Sequence, residues 1–470
     1  MNNKNFNKNA HITVDWMVKY FDELNKYPVK SNVKPKEIFK KLPAIAPSKG
    51  EKFSKILDDF QNIILPGITH WQHPNFHAFF PANNSFPSII AEMITATIGA
   101  QCMMWETSPA AAELEEKVLE WLKIELGIPK TWSGVINDTA SSGTLVSLLT
   151  AREVKSNFSI NKKGIKINNF TVYTSIEAHS SIEKAIKIIG VGKNNLRKIK
   201  VDKNLSMNTK ELELAIKKDI KSKKTPLAII STFGTTGTVA IDPINEIALI
   251  AKKYKIWHHI DAAYAGSALL INKYQKYINN IHLADSFLFN PHKWMLTNFD
   301  CSIYYVKNKK NLIKTFEIFP EYLKTNSKKV NNYKDWGIQL GRRFRSLKLW
   351  FVIKSYGIEG IKKVIKKHIN LAKSLNKIIL NEIDFEITAK QNFNMINFRY
   401  KPSKISNKYT LNRINKVLLE KLNKSGKIYL SHTKINDIYS IRMPIGNTLV
   451  QKKDILFSWK LVTKTARSIK

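Results

Sequence analysis

The feature that most restricts the fold is an alternation in the middle of the chain. Strand-like runs at residues 170–173, 227–231, 256–260 and 286–289 are separated by helical runs at 144–155, 181–189, 208–218 and 244–254. The strand-like runs are short and apolar, and the helical runs repeat their apolar residues every three or four positions. This order implies an α/β fold with a mainly parallel sheet and helices on both faces. In such sheets ligands bind beyond the carboxyl ends of the strands.

The flanks read differently. Residues 13–27 have helical spacing, and the stretch after them is broken by Pro28, Pro35, Pro43 and Pro47. A segment with so many breakers has little core of its own, so residues 1–85 are expected to form a helical arm laid over another surface, such as a partner subunit's. A further helix starts at Ser108-Pro109, with Glu113, Glu115 and Glu116 early in it. After residue 360 a basic amphipathic helix (361–376) leads into a strand (394–400), a helix (411–423), two strands (427–430 and 438–443) and a last helix. The expected division is arm 1–85, large domain 86–360 and small α+β domain 361–470.

The 76 basic and 37 acidic residues give a formal charge of +39. The excess is mostly lysine and scattered, which fits a compositional bias at solvated positions. A nucleic-acid surface would concentrate arginine and aromatics on one element, so no nucleic-acid partner is expected. Only two cysteines occur, Cys102 and Cys301, and neither lies in a C-x-x-C pair. That points to a reducing compartment and no disulfide framework. The polar start (Met1-Asn2-Asn3-Lys4) has no apolar leader, and the apolar stretch 89–100 is interrupted by Glu92. A soluble cytoplasmic protein without membrane association is expected, and no metal ligand set is read.

Four short segments carry chemistry. The strand-like run 286–289 ends in Asn290-Pro291-His292-Lys293-Trp294. A lysine there is partly desolvated, which lowers its pKa and frees a neutral amine to condense with an aldehyde. The run 256–260 ends in Asp261-Ala262-Ala263-Tyr264-Ala265-Gly266. An aspartate at that point can keep a pyridine nitrogen protonated, and the small residues let a flat ring lie close to the backbone. Asp138-Thr139-Ala140-Ser141-Ser142-Gly143 leads into a helix, whose first N–H groups suit a phosphate. His179 follows the strand 170–173 and can stack on a cofactor ring. Each segment alone has an ordinary structural explanation: a snorkelling lysine, a capping aspartate, a common helix start, a structural histidine. Their joint placement at strand ends favours a site.

Together these segments resemble the group II decarboxylases that depend on pyridoxal 5′-phosphate (PLP), nearest the aromatic-L-amino-acid branch. The likeness runs nearly end to end. It includes Pro66-Gly67-Ile68-Thr69-His70-Trp71, Phe79-Phe80-Pro81, Ser108-Pro109-Ala110 and Gly341-Arg342-Arg343-Phe344-Arg345-Ser346-Leu347-Lys348. The resemblance implies fold type I of the PLP enzymes and a homodimer with active sites at the interface. It implies that Lys293 bonds covalently to the cofactor, Asp261 holds the ring nitrogen and His179 stacks. Ala140, Ser141 and Asn290 would hold the phosphate, with Thr236, Ala263 and His292 also lining the site. Cα of the substrate would be protonated by a loop tyrosine. Tyr333, in the polar segment between Tyr322-Leu323-Lys324 and Trp336, is matched to that role, the alternative being that it only anchors the loop.

The resemblance also places Trp71, Phe79, Phe80, Pro81, Ala82, Met103 and Gly341 along the substrate pocket. Aromatic walls suit aromatic substrates. Ala82 stands where the animal enzymes have Thr, and Met103 where they have Phe, giving a softer wall. The expected reaction is decarboxylation of an aromatic L-amino acid to its amine and CO₂. An aromatic acetaldehyde synthase or a histidine decarboxylase is the alternative on this scaffold. Retention of His179 and Tyr333 favours plain decarboxylation.

Overall fold

The structure, a computed structural model, describes residues 1–165, 169–318 and 330–469. In chain order the strands are β1 (Phe76–His77), β2 (Ser133–Asn137), β3 (Phe170–Ser175), β4 (Leu196–Ile199), β5 (Thr225–Thr232) and β6 (Trp257–Asp261). They continue with β7 (Ser286–Phe289), β8 (Ser302–Val306), β9 (Phe385–Ile387), β10 (Met395–Tyr400), β11 (Tyr429–Ile435) and β12 (Ile438–Pro444).

The described chain divides into two compact units. The larger comprises residues 82–370 with 389–395, and the smaller comprises 1–81, 371–388 and 396–470. The arm groups with the C-terminal segments because β1 pairs in parallel with β11, Phe76 opposite Tyr429 and His77 opposite Leu430. Val29, Phe76 and Ala78 bury themselves against Tyr429 in the same unit. The helix Asn3–Asp22 buries no residue completely, in keeping with a segment that lacks a core of its own. The boundary near residue 360 moves to 370 because one helical stretch, Arg345–Leu380, runs through it, kinked at Gly357.

The larger unit is built on a seven-stranded sheet in the order β2-β8-β7-β6-β5-β3-β4. Neighbours from β7 to β4 are parallel, and β8 runs antiparallel to both β7 and β2. All residues of β6 and β7 are buried, as expected of strands covered on both faces. Alternate residues face opposite layers. Val172, Ala228 and Ile230 pack with Val146, Leu148, Ile182 and Ile186 on one side. Tyr173 and Ile229 pack with Leu212, Ile216, Ile247 and Ala251 on the other.

The helices Ala140–Lys155, Ser181–Ile188, Thr209–Lys221 and Ile244–Tyr254 match the sequence periodicity closely. Strands β2, β4 and β8 have no counterpart in the sequence reading. β4 is an edge strand with the polar sequence Leu-Arg-Lys-Ile, and β2 opens on Ser133-Gly134. Neither has an apolar run to announce it. Among the described residues, no helix is long and apolar enough to cross a membrane.

Close packing continues past the strand ends. A Cβ on Gly266, in the short helical segment after β6, would lie 2.4 Å from Cβ of Phe289 at the end of β7. Gly266→Ala should therefore force these segments apart and cost about 1–3 kcal/mol by overpacking, measured by urea unfolding.

Three histidines of this unit, His258, His259 and His292, are buried, and desolvation pulls each from the ordinary 6.5 to about 3. Their folded pKa is depressed, so below pH 6.5 the unfolded chain takes up protons that the folded chain refuses. Stability is then fullest above pH 6.5 and falls as the pH drops, by about 2 kcal/mol per histidine at pH 5. Asp242 and Asp285, whose carboxyls burial raises to about 7 and about 6, act in the opposite sense over the same range and offset part of this loss. A net fall in melting temperature between pH 7 and pH 5 is the expected result, read by far-UV circular dichroism.

Candidate active site

Parallel pairing sets the ends of β5, β6 and β7 side by side: Thr232 is opposite Asp261, which is opposite Leu288. The ladder continues beyond the strands. Ala262 N donates to Leu288 O at 2.9 Å, Asn290 N to Ala263 O at 3.1 Å, and Phe233 N to Asp261 O at 2.8 Å. Asp261 is 4% exposed, and its Oδ1 accepts from Ala263 N at 2.9 Å. Lys293 lies in the one-turn helix Pro291–Trp294, which follows Asn290 directly. Its N–H donates to Asn290 O at 3.0 Å, and its carbonyl accepts from Asn83 Nδ2 at 2.7 Å.

His179 follows β3. Its Nδ1 accepts from Ser181 N at 3.2 Å and bonds the Ser181 hydroxyl at 2.8 Å. An Nδ1 that accepts from a backbone N–H leaves the proton of the neutral ring on Nε2. The residue keeps an exposed face, yet enclosure of the rest of the ring pulls its pKa below 6.5. The Asp261 carboxylate draws it back up, and the Lys293 ammonium pushes it further down. The imidazole therefore lies within electrostatic reach of both groups. The sequence separates these three residues by up to 114 positions, and the sheet gathers them.

The helix Ala140–Lys155 begins beside them. Thr139 caps it through Ser142 N, and Gly143 presses on β7, where a Cβ would sit 3.1 Å from the Leu288 side chain. The N–H groups of Ala140 and Ser141 precede the first helical acceptor and are available to an anion. Asn290 is 2% exposed, with its Oδ1 buried and unpartnered. Thr236 is exposed on the loop after β5, where Gly234 takes φ +95° and a Cβ would come within 2.6 Å of Ala265 Cβ. His292 braces the lysine turn: Nδ1 accepts from Cys301 N at 2.9 Å, and the ring packs on Phe299 at 4.8 Å. An amine, a carboxylate, an imidazole face, a helix N-terminus and an unsatisfied amide are the groups an aldehyde, a ring nitrogen, an aromatic ring and a phosphate require. The residues fit PLP.

Several supporting residues had no role in the sequence reading. Arg342 is buried, donating to Glu115 Oε1 at 2.7 Å and Ile136 O at 2.8 Å. Arg345 pairs with Asp300 at 3.0 Å, and Lys348, fully buried, pairs with Glu92 at 2.9 Å. The basic run 342–348 is thus an internal framework, and its signal was a cluster of cations inside an otherwise apolar helix start.

Of the residues expected along a substrate pocket, Ala82, Met103 and Gly341 belong to the larger unit. Gly341 lies beside Gln101, and Met103 O accepts from Lys334 N at 2.8 Å. Trp71, Phe79, Phe80 and Pro81 belong to the smaller unit. There Trp71 stacks on Phe79 at 5.8 Å, and Arg442 lies over the Phe80 ring at 5.3 Å.

The placement of Tyr333 departs from the expected position on a closing loop. Its side chain is 2% exposed in the core of the larger unit, against Trp336 at 5.2 Å and under Arg342 at 4.8 Å. Burial, with Glu115 and Glu116 nearby, raises its hydroxyl pKa well above 10. A ring so enclosed suits the anchoring alternative. Tyr322, Leu323 and Lys324 lie outside the described residues. Tyr333→Phe should change kcat by only about threefold, the order of one lost hydrogen bond. Removal of an obligatory proton donor would cost about a hundredfold or more in the same steady-state assay.

Comparison with known proteins agrees with this geometry. Residues 35–401 match the model of the pyridoxal-dependent decarboxylase conserved domain. The chain is 38% identical to a tyrosine decarboxylase of Papaver somniferum, over 99% of this chain and 95% of the relative. It is also 38% identical to a phenylacetaldehyde synthase of Arabidopsis thaliana, over 99% and 96%. The crystal structure of Oryza sativa TDC with PLP and tryptamine superposes with a TM-score of 0.96 at 31% identity, covering 99% of this chain and 98% of that one. With its lysine, aspartate and histidine gathered at adjoining strand ends, the chain belongs to the pyridoxal-dependent decarboxylase family.

Proposed function

We propose that this protein decarboxylates an aromatic L-amino acid, releasing the arylalkylamine and CO₂, with PLP as cofactor. The observation that carries the reading is the parallel register that brings Asp261 and the Lys293 turn to neighbouring strand ends. When bound, PLP supplies an electron sink, a protonated pyridine ring that accepts the electron pair left on the substrate carbon. Lys293 contributes the amine that holds the cofactor's aldehyde carbon. Asp261 keeps a proton on the ring nitrogen. His179 is neutral at pH 7, with its pKa below 6.5, and offers a flat uncharged face. Ala140 and Ser141 N–H groups, with Asn290 and Thr236, take the phosphate, while Ala263 and His292 shape the wall and the turn.

The substrate class follows the relatives' activities, among them a tyrosine decarboxylase and a phenylacetaldehyde synthase. Aldehyde formation is the second reading, favoured by the 38% identity to a phenylacetaldehyde synthase. The retained His179 supports the amine product. A cytoplasmic homodimer completes the proposal. It is supported by an apolar stripe on the helix Phe86–Ile98, where Phe86, Ile90, Met93 and Ile98 are 42–59% exposed.

Incubation of the PLP-loaded protein with the twenty common amino acids and dopa, read by mass spectrometry, should show one or more aromatic amines. Ammonia and hydrogen peroxide in place of amine would move the assignment to aldehyde synthesis, and an imidazole amine would move it to histidine decarboxylation. Lys293→Ala should abolish turnover and the visible absorption of bound PLP. Asp261→Asn should retain colour and lose about a hundredfold or more in kcat, because the proton on the ring nitrogen is no longer held by a charge.

A further inference from the structure

The residues next to Asp261 and Lys293 are locked to each other by a contact that no part of the reaction requires. Tyr264, three residues after Asp261, and Trp294, one residue after Lys293, stack face to face with centroids 5.2 Å apart and planes 6° apart. Both rings are 1% exposed. Each has one polar handle, and each handle is tethered. The Trp294 indole N–H donates to His368 Nδ1 at 3.0 Å, and Asn394 Nδ2 donates to the Tyr264 hydroxyl. His368 and Asn394 are both fully buried. They come from the long helix and from the segment 389–395, about 75 and 130 residues from their partners.

Phe393 joins the same assembly. Its backbone is left-handed, at φ 46°, a strained setting for a bulky residue. Its ring meets Trp294 at 6.3 Å and Phe233 at 5.6 Å, both edge-on. Phe233 is the residue after β5 whose N–H binds Asp261 O. One wedge therefore touches the segments that follow β5 and β7, and its neighbour Asn394 holds the segment that follows β6.

We infer that the Tyr264–Trp294 stack, with His368 and Asn394 as its tethers, is a positioning device that sets the spacing between Asp261 and Lys293. The inference rests on the PLP reading above. Lys293 has a long flexible side chain, so its amine is placed only as well as its Cα is. On one side His292 is fixed by Cys301, and on the other Trp294 is fixed by the stack. Any buried Tyr or Trp needs a partner for its polar atom; what singles out this pair is that the partners come from distant segments and that the rings lie three residues beyond Asp261 and one beyond Lys293. Small errors in the placement of a reacting group cost rate steeply, because the bound geometry no longer matches the reacting one.

The test uses His368→Leu, which removes the acceptor, His368→Asn, which restores one near Nδ1, and Trp294→Phe, which keeps a ring and deletes the N–H. Each PLP-loaded protein is titrated from about pH 6.5 to 10 by visible absorbance, assayed for kcat and KM, and melted. His368→Leu and Trp294→Phe should move the titration midpoint by about half a pH unit or more and lower kcat about tenfold, with KM within about twofold. His368→Asn should recover most of both. Loss of melting temperature alone, with midpoint and kcat unmoved, overturns the inference, as does a His368→Asn protein no better than His368→Leu. If His368→Leu does not fold, Trp294→Phe decides alone on the same criteria. A visible band unchanged in Lys293→Ala would overturn Lys293 as the residue that holds the cofactor, and failure of the protein to bind PLP at all would overturn the cofactor reading. A band lost in Lys293→Ala yet unmoved in Trp294→Phe sinks only the positioning role.

Discussion

Everything chemical in this protein depends on the parallel register of β5, β6 and β7. Parallel strands end on the same edge of a sheet, so a residue at each strand's carboxyl end is delivered to one place without any long-range recognition between side chains. Thr232, Asp261 and Leu288 stand in one row across the sheet, and three further backbone bonds carry that row into the loops. The loops have no freedom to splay, so Asp261 and Lys293 share an edge despite the 31 residues between them.

Such an edge would be costly without support, because it collects charges and unsatisfied backbone groups in a partly closed space. The support is ionic and buried. Arg342 with Glu115, Arg345 with Asp300 and Lys348 with Glu92 place cations among apolar neighbours, each with a carboxylate partner. Pairs of this kind add little net stability over an apolar core, yet breaking one strands a charge, so they specify an arrangement more than they strengthen it. The neutral buried histidines do comparable work at the strand starts: His258 bonds Ser231, and His259 bonds Ser286. At neutral pH those rings are uncharged, so no charge is buried there.

Much of this was legible beforehand. The buried strands β5, β6 and β7 announce themselves as unbroken apolar runs because both faces are covered. The helices that cross over them announce themselves because one face is wet. Lys293, Asp261 and His179 were expected as site residues because each lies at the end of such a run or within a few residues of it. What stayed hidden shares a physical cause. β4 is a polar edge strand, and β2 opens on small polar residues; the partners of Arg342, Lys348 and Trp294 lie dozens to hundreds of residues away in sequence. Tyr333 shows the opposite hazard: a tyrosine in a polar, lysine-rich stretch reads as a loop residue until packing buries it against Trp336.

The sequence alone pointed to the class of fold through local periodicity, and through its resemblance to a family to the amine, carboxylate and imidazole proposed to act at the strand ends. Only the tertiary structure decided that the arm packs with the C-terminal segments, that Tyr333 is a core residue, and that Tyr264 and Trp294 face each other under His368 and Asn394. Those outcomes depend on which distant segments meet, and pattern along a chain carries no record of contact across it.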